Sequence, residues 1–196
     1  NELSLICEKL NVDVWSLIEL ANYHPRVNIL QPGPGVGGHC IAVDPWFIVN
    51  SAPDESKLIS TARKVNDNKP KHVINQINTV ARSIAPINDG INIACLGLSF
   101  KADIDDLRES PAVNIVKSLI CSKFNRIYLV EPHISKIPED MSVDFVKLVP
   151  MREGIEKSDI VIILVDHSEF KSIDKKLLTG KNIIDTRGVM HTRNII

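Results

Sequence analysis

Apolar residues recur at helical spacing in the first ten positions, through Leu3, Ile6, Cys7 and Leu10, and again in residues 14–21. Asn11-Val12-Asp13 between them supplies a turn and a cap, so the chain is expected to open on a helical hairpin. From Asn22 to Pro45 the period is lost. Pro25, Pro32, Gly33, Pro34, Gly35, Gly37, Gly38 and Pro45 interrupt it, and a long structured loop is expected. Helical spacing resumes over residues 54–84 through Leu58, Ala62, Val65, Val73, Ile77 and Val80, with Pro70 imposing a kink or break. Such a helix is longer than a small domain needs. Its apolar face is expected to lie beneath a further domain or at a subunit interface. Residues 86–90, Pro-Ile-Asn-Asp-Gly, read as a boundary.

Beyond Gly90 short apolar runs alternate with helical ones. Strands are expected at residues 91–96, 126–130, 160–165 and 182–185, with a weaker candidate at 143–146. Ser110 and Pro111 cap a helix running to about Ser122, and residues 154–157 fall in a short helix. This alternation predicts an α/β fold: a helical unit over 1–86 that carries the long loop, then a unit over 87–196 built on a mostly parallel sheet covered on both faces. Ligands of such sheets sit at the carboxyl ends of the strands, which points to residues 97–109, Glu131-Pro132, Asp166-His167 and residues 186–188. No GxGxxG follows any expected strand.

Charge narrows the partners. Lys and Arg (23) balance Asp and Glu (24), so a broad basic face for nucleic acid is not implied. No apolar run reaches the roughly 18 residues of a membrane span. Nor does the amino terminus have the build of a signal peptide, so the expected address is the cytoplasm. The chain enters a helical pattern at Asn1 without an initiator Met, and is treated as a fragment. Its four cysteines show no CxxC pair, so no metal ligation or disulfide framework is suggested. Cys7, Cys95 and Cys121 have apolar neighbours and are expected to be packing residues.

Cys40 differs, because Gly33, Gly35, Gly37 and Gly38 precede it. Glycines let the backbone approach a ligand closely and adopt positive φ, so this thiol is expected to be presented as a nucleophile able to add to an aldehyde. His39 either tunes the thiol or points away. Asp44 either orders water near the thiol or simply forms a turn before Pro45. His24 and Arg26 precede the loop, where an Arg grips a phosphate or carboxylate, or makes a surface ion pair. Lys101 and Arg108 lie in the segment leading from the first sheet strand to a helix amino terminus, a place that favours anions. The four acidic residues of that segment, Asp103, Asp105, Asp106 and Glu109, argue against a bare phosphate pocket.

Two long motifs, Gly37-Gly38-His39-Cys40-Ile41-Ala42-Val43-Asp44-Pro45-Trp46-Phe47 and the run from Gly97-Leu98-Ser99-Phe100-Lys101 through Asp105-Asp106-Leu107-Arg108-Glu109-Ser110-Pro111, occur in the order found in the UDP-glucose/GDP-mannose dehydrogenase family. The chain resembles the carboxyl-terminal two-thirds of such an enzyme. His39 and the run from Ile41 to Phe47, with residues 24–35, are most similar to members acting on UDP-N-acetyl-D-mannosamine. The resemblance implies a helical central dimerisation domain over 1–86 and a Rossmann-like UDP-binding domain over 87–196, with NAD held by an amino-terminal domain outside this chain. It implies oxidation of a UDP-N-acetylhexosamine to the uronate in a homodimer or dimer of dimers, with neither nucleic acid nor membrane as partner. In the implied roles Cys40 is the nucleophile, with Asp44 beside it. His24, Arg26, Gly37, Lys101 and, as a weaker match, Arg187 contact substrate, and Arg108 touches NAD. Val43 stands where the UDP-glucose enzymes commonly carry Lys, implying a different sugar environment. Two alternatives stay open: UDP-N-acetylglucosamine 6-dehydrogenase, and a UDP-binding or dimerisation module without catalysis.

Overall fold

The computed structural model describes residues 1–87 and 90–191; Asn88 and Asp89 of the expected boundary lie outside the described residues. Helix α1 (Glu2–Leu10) stops at Asn11, whose left-handed backbone (φ 54°) turns the amides of Asn11 and Val12 onto the carbonyls of Glu8 and Cys7. Helix α2 (Val14–Asn22) begins at once because the Asp13 carboxylate accepts the Ser16 amide at 2.9 Å. The expected hairpin is therefore present.

The long loop is shorter than its glycines and prolines suggest, since a helix, α3 (Asp44–Ser51), starts inside its last residues. Pro45 falls in the first turn, where no amide is required. The helix was not legible because Phe47 and Ile48 face solvent, leaving no amphipathic period. Helix α4 (Lys57–Ile84) runs 28 residues and continues unbroken through Pro70. Pro70 removes one amide, yet the helix is anchored on both sides of it, by Asn66 reaching into the loop and by Val73, Ile77 and Ala81 entering the sheet's core. The apolar positions of α4 divide accordingly: the second half is covered by this chain, while Leu58 is 82% exposed.

The sheet contains β1 (Asn92–Leu96), β2 (Arg126–Val130), β3 (Val146–Leu148), β4 (Ile160–Ile163) and β5 (Asn182–Asp185), all parallel, in the order β3-β2-β1-β4-β5. Alternation along the strands feeds two cores. Ile93, Cys95, Ile127, Leu129, Ile160 and Ile162 pack against α4 and α5 (Pro111–Cys121). Ala94, Leu96, Val130, Val161 and Ile163 pack with Ile155 of α6 (Met151–Lys157) and with Phe170. Helix α5 starts as expected, with Ser110 as its cap and Pro111 in its first turn.

Three local expectations are corrected. The weak strand lies at Val146–Leu148, because Val143 is held in a turn by the Met141 carbonyl and itself accepts from the Val146 amide. Strand β4 ends at Ile163, since the amides of Leu164 and Val165 both turn to the Leu96 carbonyl. Cys121 is exposed at the end of α5, whereas Cys7 and Cys95 are buried and burial pushes the Cys95 thiol up to about 12. No described helix is long and apolar enough to cross a membrane.

Connections run outward from β1 to β2 and β3, then return past β1 to β4 and β5, so the switch of direction falls between β1 and β4. The loops at the carboxyl ends of those two strands therefore flank a crevice open to a ligand.

Candidate active site

The loop before Cys40 is held by two asparagines. Asn66 Oδ1 accepts the Val36 amide (2.8 Å) and Asn1 Nδ2 (3.0 Å), while Asn66 Nδ2 donates to the Val36 carbonyl (3.3 Å). Asn1 Oδ1 accepts the Gly33 amide at 2.9 Å. Past this clamp, Gly38 takes φ 90° and lies so close to the Phe100 ring that a Cβ there would sit 2.9 Å from it. A Cβ on Gly37 would overlap the Glu109 carbonyl oxygen. Glycine is needed at both positions to let this loop rest on the loop after β1. The chain then emerges at His39 and Cys40, both exposed, and the Cys40 carbonyl accepts the amides of Val43 and Asp44 as α3 begins. Asp44 is exposed on the first turn, one short bend from the thiol.

The second loop meets the first where the Gly38 amide donates to the Arg108 carbonyl at 3.3 Å. Arg108 makes a forked contact with Asp106, through Nε (3.0 Å) and Nη2 (2.5 Å). The hydrogen bonds and charge of Arg108 hold the Asp106 carboxyl down at about 2, with a further contribution from His39. In return the bond and charge of Asp106, and then the nearby Cys40 sulfur, raise Arg108. Cys40, His39, Asp106 and Arg108 thus share one electrostatic neighbourhood at the surface.

A second group assembles around Arg187. Its Nε and Nη2 bind Asp166 Oδ1 at 2.8 and 2.7 Å, and Gly33 lies so close that a Cβ there would force the guanidinium to shift. Arg187 borders a cavity of about 640 Å³ with Trp15, Gln31, Asp166, Lys171 and His191, and shares a narrow crevice with Lys101, Pro34 and Ser99. Lys101 and Arg187 are therefore brought together across the switch point. His24 and Arg26 stand apart, exposed beyond α2, with the Arg26 amide donating to His24 Nδ1 at 3.3 Å. Neither borders the cavity or the crevice.

Two buried groups that sequence reasoning left without a role tie the strand ends together. Glu131 Oε2 accepts the amides of Leu98 (2.6 Å) and Ser99 (3.1 Å), and its Oε1 accepts that of His133 (3.1 Å). His167 Nε2 lies 3.1 Å from the same carboxylate, and its Nδ1 accepts the Asp103 amide at 2.9 Å. The only signal in the sequence was position, at the carboxyl ends of β2 and β4. Asp103, His133 and His167 place ligand-type atoms within 4.8 Å of one another. A metal would have to displace bonds already made, because both His167 nitrogens are engaged and the Asp103 carboxylate accepts the amide and hydroxyl of Ser168.

Burial alone would push Glu131 up, but hydrogen bonds from His167 and the Leu98 amide outweigh it and hold the carboxyl below its ordinary 4.5. A depressed carboxylate contributes stability that is complete above its unfolded value and lost as pH falls through its folded one. Urea midpoints measured between pH 7 and pH 3 should therefore fall less steeply at the acid end for Glu131→Gln than for the wild type.

The UDP binding domain of the UDP-glucose/GDP-mannose dehydrogenase family matches residues 94–192, and the central domain of the same family matches residues 1–68. The chain belongs to this family. Among its relatives, the NDP-N-acetyl-D-galactosaminuronic acid dehydrogenase of Ralstonia solanacearum is 50% identical over the whole chain, covering 45% of that protein. The UDP-N-acetyl-D-mannosamine dehydrogenase of Campylobacter jejuni is 54% identical over 87% of the chain and 41% of its own length. Among solved structures, the UDP-D-ManNAc dehydrogenase of Pyrococcus horikoshii superposes with TM-score 0.81 at 30% identity, over 99% of this chain and 45% of that one. The UDP-N-acetyl-mannosamine dehydrogenase of Staphylococcus aureus gives 0.78 at 38% identity, over 98% and 44%. The chain thus spans under half the length of these relatives, a smaller share than the two-thirds its motifs suggested.

Proposed function

We propose that this chain is the part of an NAD-dependent dehydrogenase that supplies the nucleophile and the UDP site for oxidising UDP-N-acetyl-D-mannosamine to UDP-N-acetyl-D-mannosaminuronate. The observation that carries the reading is an exposed thiol, Cys40, at the end of a clamped glycine loop and beside a cation, Arg108. Cys40 Sγ adds to the carbonyl carbon of the C6 aldehyde to give a thiohemiacetal. Loss of hydride from that carbon and of the proton from its hydroxyl leaves a thioester, and attack by water breaks the C–S bond to release the carboxylate and restore the thiol. Asp44, on the adjoining turn, orders the water and takes up its proton. Lys101 and Arg187 pair with the diphosphate, Gly37 closes the loop over the sugar, and His24 and Arg26, remote within one chain, reach the site of a partner subunit.

Two molecules of NAD, bound in turn, would accept one hydride each, the first as the C6 alcohol becomes the aldehyde and the second from the thiohemiacetal carbon. The sheet of this chain does not fit a dinucleotide in the usual position, because the amides after β1 are already engaged by Glu131. Arg108 is the residue of this chain assigned to the cofactor, and its side chain, paired with Asp106, is 66% exposed.

We assign residues 1–86 to the central domain and 87–196 to the UDP-binding domain, with the seam along α4. Leu20, Tyr23, Phe47, Ile48 and Leu58 are each more than half exposed, an apolar load suited to a subunit interface. Sedimentation at micromolar concentration is expected to show a dimer, and a monomer would remove that assignment.

The substrate is tested by assaying the complete enzyme with the manno, gluco and galacto isomers of UDP-N-acetylhexosamine. A preference in kcat/KM of at least about tenfold for the manno isomer is expected. The galacto isomer is the competitor favoured by the Ralstonia relative, and equal or reversed rates would defeat the manno assignment.

A further inference from the structure

In dinucleotide-binding sheets of this strand order, the amides of the turn after the first strand face a pyrophosphate. Here the equivalent amides, of Leu98 and Ser99, face a carboxylate that belongs to the protein, and the Glu131 side chain has no solvent exposure. The carboxylate does not act alone. His167, also fully buried, accepts the Asp103 amide at Nδ1, so its proton sits on Nε2 and points to Glu131. Ser99 agrees with that tautomer: its hydroxyl donates to the Lys101 carbonyl at 2.6 Å and turns a lone pair to His167 Nε2 at 3.3 Å.

The consequence falls on one residue. Ser99 lies two positions before Lys101 and Asp103 two positions after it, and both amides are fixed by the same buried pair. Asp103 then passes the restraint on, binding the Ser168 amide at 2.8 Å, next to His167 itself. Only Phe100, Lys101 and Ala102 lie between the two anchor points, and the Phe100 amide is taken by the Asp106 carbonyl at 3.1 Å. Lys101 is left exposed at the apex, across the crevice from Arg187.

We propose that Glu131 and His167 are positioning residues: an internal anion fills the place of a dinucleotide phosphate, and through the histidine it sets the 99–103 turn so that Lys101 meets a nucleoside diphosphate from outside the sheet. This rests on the reading of Lys101 and Arg187 as the diphosphate's partners. The pair converts a cofactor-binding edge into a rigid mount for a cation, and it accounts for two buried ionisable side chains that the oxidation chemistry does not use.

The test compares His167→Asn with His167→Gln in the full 196-residue chain. Asn places an acceptor where Nδ1 was and keeps the Asp103 amide, whereas Gln places its amide near Nε2 and loses that contact. Calorimetric titration with UDP should show Kd raised about tenfold in H167Q and no more than about twofold in H167N. Amide hydrogen exchange without UDP should quicken at Asp103 in H167Q only. Glu131→Gln, with one acceptor oxygen for three amides, should quicken exchange at Leu98 and Ser99 and also weaken UDP. Equal affinities in H167N and H167Q, or losses that follow melting temperature alone, overturn the proposal and leave the UDP site standing. A folded wild-type chain that takes up no UDP overturns the diphosphate reading and this proposal with it.

Discussion

Cys40→Ser in the complete enzyme is expected to cut uronate formation by roughly 10³-fold or more while the first oxidation persists, so the yield drops from two NADH per sugar toward one. A serine hydroxyl without a strong base beside it is a far weaker nucleophile than a thiolate, and the aldehyde then has no covalent partner from which the second hydride can leave. The fold should not register the change. Cys40 is exposed, and the local turn is made by its carbonyl, which accepts the Val43 and Asp44 amides whatever the side chain. The melting temperature should therefore stay within about 2 °C of wild type. Counting NADH against uronate by spectrophotometry and chromatography separates the two half-reactions, and a variant that delivers acid at the normal rate would end the role given to Cys40.

Gly97→Ala is expected to be the most damaging small substitution for folding, at about 2–5 kcal/mol out of a total that is typically about 5–15. Gly97 takes φ 91° as β1 turns into the loop, and its amide donates to the Val130 carbonyl at 2.8 Å, so the turn cannot relax without breaking the sheet edge. A Cβ there would overlap the Val165 side chain and come within 3.0 Å of its backbone nitrogen. Gly180→Ala is the control: φ is also positive, at 76°, but nothing lies within 4 Å of the added carbon. Only the conformational part of the penalty, about 1–2 kcal/mol, should appear there. Equal losses for the two variants in urea denaturation would show that the Val165 contact does not matter.

Much of the architecture was legible because burial leaves a periodic trace. Strands β2 and β5 lie where the apolar runs place them, and α5 begins at the Ser110-Pro111 cap. Helix α3 was not legible, since its apolar residues face outward and its first turn carries Pro45. Of the candidate site, the glycine loop announced Cys40, and the rule for parallel sheets named all four strand-end segments that converge. Nothing local could show that Asn66, in the middle of a long helix, holds Val36, 30 residues earlier in sequence, or that Asn1 holds Gly33. Such bonds have no period and no fixed spacing.

The order of hydrophobic and polar residues by itself determined the strands, the helices other than α3, the parallel sheet and the exposed thiol, because each follows from short-range spacing and from the backbone freedom of glycine. Only the tertiary structure decided that Lys101 faces Arg187, that Arg108 and Cys40 share one surface, and that Glu131 occupies the place of a phosphate. The first and last of those relations depend on the strand order β3-β2-β1-β4-β5, which brings the loops after β1, β2, β4 and β5 to one edge of the sheet. Long-range pairing of that kind is set by the packing of the whole core, and no local window of sequence contains it.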